Sequence, residues 1–277
     1  MIEYKKITFP NSEGKNNIII ALLSNINFDS FEEQGDTLIA YIKTKDFDVA
    51  ELKDTLSVLP SLKCLKFEIT DLENKNWNEI WESNFKPVVI DNKCTIRASF
   101  HEPANTKYEI EIEPKMAFGT GHHATTEMMI SFMLNIDFNN KTVLDFGSGT
   151  GILSILAEKR GAKSIFANDV EQAAFNNLEL NTKLNNCTKI SNNLGGIEIV
   201  PNNKYDIILA NVNTKALSEN LIYLKEKMHR KTLIMLSGIL IDQKNIILEI
   251  TKKLNLKWID QKEKNKWTSL LFISTSA

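Results

Sequence analysis

The chain has 277 residues, enough for one large domain or two smaller ones, and its hydrophobic (43%) and charged (25%) fractions are ordinary for a soluble globular protein. The formal net charge of −2 argues against a general nucleic-acid binder. The three cysteines are far apart, which suits a reducing cytosol and offers no metal-binding motif. The N-terminus lacks an apolar signal core, and the early apolar run Ile18–Leu23 is too short to span a bilayer, so we expect a cytoplasmic protein.

The first 70 residues are predicted to form a small domain. Alternating apolar residues predict strands, and apolar residues at helical spacing predict two helices. The order strand, helix, strand, strand, helix, strand implies a ferredoxin-like α+β fold. The predicted elements are a strand at Ile2–Phe9, a helix at Glu13–Leu23 capped by Ser12, a hairpin of Phe28–Glu33 and Thr37–Lys43, a helix at Asp48–Leu59 and a strand at Leu62–Ile69.

The charge of this first segment suggests a partner. Residues 1 to 71 contain eight lysines and twelve acidic residues, a net charge of −4, whereas the rest of the chain carries +2. An acidic module favours a basic partner, such as a ribosomal or other nucleic-acid-binding protein. A solvated acidic surface that only keeps the protein soluble explains the charge equally well.

Residues 71–85 are predicted to form a linker helix. The segment has few strongly apolar residues but two tryptophans, Trp77 and Trp81, four positions apart. Residues at this spacing share one face of a helix, and we expect the pair to pack against one or both domains rather than to bind a ligand.

The next segment leads into a polar, glycine-containing loop. Strands are predicted at Pro87–Ile90, Cys94–Phe100 and Lys107–Ile112, and they would precede and cover the sheet predicted for the rest of the chain. The loop that follows, residues 114–126, reads PKMAFGTGHHATT and precedes a helix predicted at Glu127–Leu134, with Thr125 or Thr126 at its start. A glycine loop in this place could form a lid over a cofactor.

The sequence KTVLDFGSGTG, residues 141–151, is the most informative stretch of the chain. Apolar residues 142–144 predict a buried strand that ends at Asp145, the glycines predict a loop, and Ile152–Lys159 predicts a helix. A strand, a glycine loop and a helix begin a nucleotide-binding βαβ unit, in which backbone N–H groups closely approach a ligand. The next strand, Ser164–Asn168, is followed by Asp169, which can accept hydrogen bonds from both hydroxyls of a ribose.

The spacing of the glycines separates the possible ligands. The dinucleotide pattern G-x-G-x-x-G fails because Ile152 occupies its last position, and the G-K-[ST] of a phosphate-binding loop is absent. The pattern that remains, D-x-G-x-G-x-G, resembles motif I of S-adenosylmethionine-dependent methyltransferases.

The rest of the chain predicts a doubly wound α/β domain. Seven strands with an antiparallel hairpin at the end fit the sheet of the class I methyltransferases. The predicted elements are a helix at Glu171–Leu184, a weak strand near Cys187–Ile190, a strand at Tyr205–Ala210, a helix at Lys215–Met228, a strand at Thr232–Leu236, a helix at Gln243–Leu254 and strands at Leu256–Ile259 and Thr268–Ser274.

Three stretches, MAFGTGHHATT, DFGSGTGILSILAEKRGA and DIILANVN, make the chain similar to the methyltransferase family that modifies the eleventh protein of the large ribosomal subunit. The resemblance covers essentially the whole chain, and AFGTG-x-H-x-TT is its most specific part. It implies a class I, Rossmann-like methyltransferase domain at residues 86–277. It also implies that the ferredoxin-like domain at residues 1–70 recognises the ribosomal protein, with the linker helix at 71–85 between them.

The resemblance further implies S-adenosylmethionine as the cofactor, and lysine side chains and the N-terminal amine as methyl acceptors. This chain has His122-His123-Ala124 where many members have Thr-His-Pro, and Ser148 where many have cysteine; the missing proline could change the stiffness of the loop. Matched position by position, the cofactor contacts fall on Thr126, Gly147, Gly149, Asp169 and Asn211, with Phe118, Gly119, Thr120 and Gly121 in the adjoining loop.

Methyl transfer from a sulfonium to nitrogen is an in-line displacement, for which an enzyme mainly supplies alignment. We therefore expect no dedicated catalytic base. Asn211, at the carboxyl end of a strand, is the candidate catalytic residue, because it could contact the methionine end of the cofactor and orient the incoming amine. His122 or His123 stays open as a proton shuttle.

Two alternatives also stay open. One is a methyltransferase for RNA or a small molecule, although Asn211-Val212-Asn213-Thr214 replaces the N-P-P-Y of adenine-amino methylation and the acidic first segment disfavours RNA. The other is a non-catalytic ribosome-binding scaffold, against which the intact glycine loop and Asp169 argue. We expect a monomer that binds a basic ribosomal protein, without a metal, a membrane or direct nucleic-acid contact.

Overall fold

The computed structural model describes residues 4–10, 14–63, 65–71, 85–113 and 121–276. The chain divides into two compact units, Met1–Asn84 and Phe85–Ala277. Most of the predicted linker helix, with Trp77 and Trp81, lies outside the described residues, as do the predicted cap Ser12 and residues 114–120 of the glycine loop.

The first unit has the predicted order of strands and helices. Its four strands form an antiparallel sheet in the order β2-β3-β1-β4, and buried residues of both helices pack with it into one core. The elements are β1 (Tyr4–Phe9), α1 (Asn16–Leu23), β2 (Phe28–Gln34), β3 (Thr37–Lys43), α2 (Val49–Ser57) and β4 (Glu68–Asp71).

Two boundaries in this unit were predicted wrongly. Helix α1 begins at Asn16 rather than Glu13, because Gly14 has a φ of +76°, which no right-handed helix allows. Strand β4 begins at Glu68 rather than Leu62. Leu62 is fully buried, but it belongs to a turn in which its N–H bonds to the carbonyl of Leu59, so its burial does not reflect a strand.

The second unit begins with a separate three-stranded sheet. Strands β5 (Val88–Ile90), β6 (Cys94–Ala98) and β7 (Tyr108–Ile112) lie side by side in that order, with β5 antiparallel and β7 parallel to β6. Their apolar side chains share a core with helix α3 (Ala124–Met133) and with one face of the main sheet. This small sheet therefore covers the main sheet, as the sequence predicted.

The main sheet has seven strands in the order β10-β9-β8-β11-β12-β14-β13. Neighbouring strands from β10 to β12 are parallel and the β13–β14 hairpin is antiparallel, which confirms the predicted class I arrangement. The elements are β8 (Thr142–Phe146), α4 (Ile152–Lys159), β9 (Ser164–Asp169), α5 (Gln172–Leu184), β10 (Ile190–Leu194), β11 (Tyr205–Asn211), α6 (Thr214–Glu226), β12 (Met228–Leu240), α7 (Lys244–Lys253), β13 (Leu256–Lys264) and β14 (Trp267–Ser274).

Both faces of the main sheet are buried. Val143 of β8 packs into the core on one face, and its neighbour Leu144 packs into the core on the other. Parallel strands buried on both sides are apolar at consecutive positions, which is why β8 and β11 were easy to predict. Strand β10 begins at Ile190, whereas the strand predicted near Cys187–Ile190 ends at that residue, so this strand was predicted too early in the chain. No helix among the described residues is long and apolar enough to cross a lipid bilayer.

Candidate active site

The carboxyl ends of the parallel strands surround a cleft of about 650 Å³. The loops after β8, β9 and β11 contribute most of its lining, and the start of α3 and the start of β14 close one side. In an open parallel sheet, ligands bind at this edge, near the point where the strand order reverses. That point lies between β8 and β11 here, because the chain runs outward from β8 to β10 and then crosses back to β11.

The glycine loop after β8 forms the floor of the cleft. Gly147, Gly149 and Gly151 have φ values of +72°, +53° and +80°, a left-handed conformation that favours glycine. The N–H of Gly147 donates to the carbonyl of Asn168 (2.9 Å), which ties the loop to the neighbouring strand β9. Gly147 and Gly149 line the cleft, but the N–H of each is already bonded within the protein, to the carbonyl of Asn168 and to the carboxylate of Asp169, so the predicted approach of these N–H groups to a ligand stays a prediction.

Asp169 ends strand β9 and lines the cleft beside the loop. One carboxylate oxygen accepts a hydrogen bond from the N–H of Gly149 (2.9 Å), and the other accepts one from the N–H of Glu171 (3.0 Å). These bonds fix the orientation of the carboxylate, and a carboxylate has about four acceptor positions in all. The positions left over suit a pair of ligand hydroxyls, so the predicted ribose contact stays a prediction with a fitting geometry.

Asn211 ends strand β11 on the other side of the glycine loop and lines the same cleft. Its Nδ2 donates to Oγ1 of Thr126 at 3.4 Å, whereas its Oδ1 is buried and has no hydrogen-bond partner within the described part of the chain. An unpartnered buried oxygen destabilises a protein by about 1–3 kcal/mol. An oxygen kept in this state at the edge of a cleft indicates a ligand that donates to it.

Helix α3 places its threonines differently from the prediction. The helix begins at Ala124 rather than at Glu127, so the two threonines lie inside it and not before it. Its cap is His123, whose Nδ1 accepts from the N–H of Thr125 at 3.4 Å. Both threonines are buried in the first turn. Thr125 lines the cleft, while Thr126 lies behind Asn211, so the predicted contact of Thr126 with the cofactor stays a prediction.

The two adjacent histidines have different surroundings. Nε2 of His122 lies 2.9 Å from the carbonyl oxygen of Lys86, and its ring packs on Phe85, so this residue ties the loop to the small sheet. His123 lines the cleft, and its ring meets the indole of Trp267 with centroids 4.9 Å apart. His123 is therefore the one of the pair that a ligand could meet.

The remaining predicted loop residues fall in two places. Phe118, Gly119 and Thr120 lie outside the described residues. Gly121 has a φ of +88° and is buried, and a Cβ placed on it would approach Cδ1 of Ile96 to 2.5 Å. Gly121 is thus pressed against the small sheet and is not among the residues that line the cleft.

Sequence reasoning missed several residues that line the cleft, among them Val170, Gly238 and Trp267. Val170 is 71% exposed directly after Asp169, and an apolar residue beside a strand-end acid was a signal that could have found it. Gly238 and Trp267 lie far along the chain, in β12 and β14, and carry no local signal.

Asp145 lies under the glycine loop and is fully buried inside β8, one residue before the strand ends, so it does not end the strand as predicted. Its Oδ2 accepts from the hydroxyl of Ser154 at 2.6 Å, and its Oδ1 has no partner among the residues described. Burial raises the pKa of Asp145 to about 7; the charge of Asp169 acts in the same direction, and the bond from Ser154 opposes both.

The residues of the cleft fit S-adenosylmethionine. The open backbone of the glycine loop can accommodate the methionine part, the anchored carboxylate of Asp169 can accept from the ribose hydroxyls, and Oδ1 of Asn211 can accept from an amine. Among the described residues, no group of three or more His, Cys, Asp or Glu side chains is placed to hold a metal ion.

The chain is similar in sequence to known methyltransferases. The family model for ribosomal protein L11 methyltransferase (PrmA) matches residues 15–275. The chain is 39% identical to the ribosomal protein L11 methyltransferase of Phocaeicola vulgatus, over 98% of this chain and 99% of that protein. It is 35% identical to the protein of the same name from Bacteroides thetaiotaomicron, with the same shares covered.

Solved structures agree at the level of the fold. The ribosomal protein L11 methylase of Lactobacillus delbrueckii subsp. bulgaricus superimposes with a TM-score of 0.64 over 70% of this chain and 100% of that chain, at 24% identity. The M. jannaschii tRNA m1G37 methyltransferase gives a TM-score of 0.50 at 16% identity, with 99% of this chain covered. Likenesses this distant in sequence show a methyltransferase fold and not a substrate.

Proposed function

The chain belongs to the ribosomal protein L11 methyltransferase family, and we propose that it transfers methyl groups from S-adenosylmethionine to amino groups of ribosomal protein L11. The acceptors we propose are lysine side chains and the N-terminal amine. One observation supports this chemistry most strongly: the unpartnered Oδ1 of Asn211 lies in the same cleft as the glycine loop and Asp169.

The cofactor end of the cleft would be held by two groups. Asp169 would bind the ribose hydroxyls, since its carboxylate is already oriented by the N–H groups of Gly149 and Glu171. Gly147 and Gly149 would leave the backbone accessible to the methionine part. When bound there, S-adenosylmethionine supplies a methyl group activated by a positively charged sulfur.

The acceptor end of the cleft would be shaped by Asn211, His123 and Trp267. An acceptor lysine must be neutral to attack, and at pH ~7.4 it lies about three units below its usual pKa, so deprotonation costs roughly 4 kcal/mol. The oxygen of Asn211 can accept one N–H of the neutral amine and thereby direct its lone pair away from that oxygen. Exclusion of water by the indole of Trp267, which lines this end of the cleft, would reduce that cost by lowering the pKa of the lysine.

This scheme needs no general base among the residues of the chain. The amine loses its proton to solvent before it attacks, and Asn211 holds the neutral form in line with the methyl group. His123 already bonds through Nδ1 within its own helix turn, so its role in this scheme is to cap α3 and to support Trp267.

The first unit would recognise the substrate. L11 would meet acidic side chains there, since Glu32 and Glu33 are exposed on the edge strand β2 and Glu68 is exposed on the opposite edge strand β4. We propose in addition that the protein acts as a cytoplasmic monomer and does not bind nucleic acid directly.

The test is incubation of the protein with radiolabelled S-adenosylmethionine and an extract of unmodified ribosomal proteins, followed by mass spectrometry of whatever becomes labelled. Label on lysine or N-terminal peptides of L11 is the expected result. Label in the RNA fraction would support the alternative of an RNA methyltransferase, and failure to bind the cofactor in a calorimetric titration would support a non-catalytic scaffold.

A variant of Asp169 tests whether the cofactor binds at the proposed end of the cleft. Asp169→Ala should remove the labelling at the same cofactor concentration, because lost hydrogen bonds to a charged group cost about 1.5–3 kcal/mol each. The variant should keep its fold, since Asp169 is only half-buried at the end of a strand. Full labelling by this variant would show that the cofactor lies elsewhere.

A further inference from the structure

Val212, the residue directly after the candidate catalytic Asn211, lies between two glycines of the neighbouring strands. In the sheet order β8-β11-β12, Gly147 follows β8 on one side and Gly238 belongs to β12 on the other. Both have left-handed backbones, with φ values of +72° and +80°. Val212 and the two glycines all line the cleft.

The two glycines touch different parts of Val212. A Cβ built on Gly147 would overlap a methyl group of the Val212 side chain, whereas a Cβ built on Gly238 would overlap the carbonyl group of Val212. The backbone of β12 is already irregular here, since the register of β12 with β14 shifts between Leu236 and Ile239. A side chain at Gly238 requires the main chain after β11 to move, whereas a side chain at Gly147 requires Val212 either to move or to change its rotamer.

Movement of Val212 would be transmitted to Asn211. The two residues share a peptide bond, and within the described parts of the chain the side chain of Asn211 makes one hydrogen bond, the long 3.4 Å contact from Nδ2 to Oγ1 of Thr126. Such a bond holds the amide weakly. The position of Asn211 in the cleft is therefore set mainly by its backbone, and this backbone is held from both sides at Val212.

We propose that Gly147, Val212 and Gly238 form a glycine clamp that positions Asn211 against the reacting amine and methyl group. Gly238 is a positioning residue in this scheme, since it acts through Val212. The inference rests on the proposed methyl transfer to an amine, for which the distance between Asn211 and the glycine loop has to be fixed.

The two glycines contact different parts of Val212, the side chain and the carbonyl group, and this difference provides the test. Gly238→Ala and Gly147→Ala should each lower kcat on the order of 100-fold, as expected for a misplacement of about 1 Å in a reacting group. Adding Val212→Ala should restore much of the activity of Gly147→Ala, because it removes the methyl groups that collide. It should not restore Gly238→Ala, where the collision is with the main chain.

Gly161→Ala is the matched control. Gly161 also has a left-handed backbone, with a φ of +94°, and its Cβ would approach Asn139 to 3.2 Å, far from the cleft in sequence and outside its lining. This variant should lose stability like the others but keep kcat. If Gly161→Ala lowered kcat as much as Gly238→Ala, general strain would explain the losses and the clamp would be refuted.

A second measurement does not depend on activity. The side-chain amide signals of Asn211 in a ¹H–¹⁵N spectrum, assigned by their loss in Asn211→Ala, should move in Gly147→Ala and Gly238→Ala and return in Gly147→Ala combined with Val212→Ala. Unmoved signals in both glycine variants would overturn the proposal. The amide signals still test the clamp if the wild-type protein methylates no ribosomal protein. That result would refute the proposed function but not the clamp.

If Gly238→Ala does not fold, Val212→Ile tests the clamp instead. It keeps both glycines and adds one methyl group to the side chain that faces Gly147. The clamp predicts displaced Asn211 signals and a kcat lowered by about tenfold, with cofactor affinity nearly unchanged. Wild-type signals and kcat in this variant would overturn the proposal.

Discussion

The strand pair β8 and β11 carries one aspartate near each end, and the pKa values of the two aspartates are shifted in opposite directions. At the amino end, Asp206 of β11 accepts from the N–H of Thr142 (2.8 Å) and from its hydroxyl (2.9 Å), and Nε2 of His229 lies 3.2 Å from its second oxygen. Burial by itself raises the pKa of Asp206, but these bonds outweigh burial and the pKa lies below its usual value. At the carboxyl end, burial raises the pKa of Asp145, which keeps one oxygen without a partner among the described residues.

The amino end of this strand pair is therefore expected to affect mainly stability, and the carboxyl end mainly function. The amino end is fully bonded and is expected to contribute to folding. At the carboxyl end, Asp145 and Asn211 each have an oxygen without a partner among the residues that the structure describes, and such oxygens lower stability unless a ligand or solvent satisfies them. Substitutions at the two ends should therefore affect different measurements.

The largest effect is expected for Asn211→Ala. It should lower kcat by on the order of 100- to 1000-fold, the range seen when one oriented polar group is removed from a reacting centre. The free energy of unfolding should not fall in parallel, because the substitution also removes a buried oxygen without a partner. Kinetics with L11 and a thermal melt of the same sample check both statements; a large loss of stability would contradict the comparison.

The next effect concerns Asp145 and depends on pH. An unfolded Asp has a pKa near 3.9 and the folded value is about 7, so wild-type stability should fall as pH rises from about 4 to about 7 and then level off. Asp145→Asn lacks this fall and should be more stable than wild type by about 4 kcal/mol above pH 7. Denaturant unfolding at pH 5 and pH 8 measures the difference, which should grow with pH; a constant difference would show that Asp145 does not retain its proton.

Asp206→Ala probes the other end of the strands. It should lower the free energy of unfolding by about 2 kcal/mol, because it removes hydrogen bonds to a charged group. This loss should begin to shrink below pH about 4, where Asp206 of the unfolded chain takes up a proton, and should disappear as the pH falls through the lower pKa of the folded protein. Cofactor affinity measured by calorimetry should stay at the wild-type value. Weaker cofactor binding without instability would mean that the two ends are not separate.

The smallest effect is expected for His123→Ala. The loss of the helix cap should cost about 1 kcal/mol of stability. If His123 transfers no proton in the reaction, the methylation rate of the variant should depend on pH between pH ~6 and ~9 as the wild-type rate does, because only the acceptor amine then sets that dependence. A loss of rate confined to one side of that range would instead assign the histidine a role in proton transfer.

The parts of the structure that sequence predicted well are those with a strong local signal. The stretch KTVLDFGSGTG combined an apolar strand, three glycines and a helix, and the structure places β8, the left-handed loop and α4 at these residues. Asp169 and Asn211 were found because each follows an apolar strand directly. The cleft in which they meet follows from the parallel order of those strands.

Elements held by polar side chains were harder to predict. Strand β10 contains Asn192 and Asn193, whose amides donate to carbonyls of Phe175 and Ala167, so no apolar alternation marks this strand. The cap of α3 is a histidine, which is not a usual cap residue. Trp267 and Gly238 reach the cleft through pairings between distant strands, and no local pattern could have indicated them.

The position of β14 between β12 and β13 has a consequence for how the enzyme matures. During synthesis β13 leaves the ribosome before β14, but it cannot join the sheet until β14 has paired with β12. The same late strand begins with Trp267, which forms one wall of the cleft. A nascent chain can thus complete the glycine loop early, while a finished binding site has to wait for this last insertion.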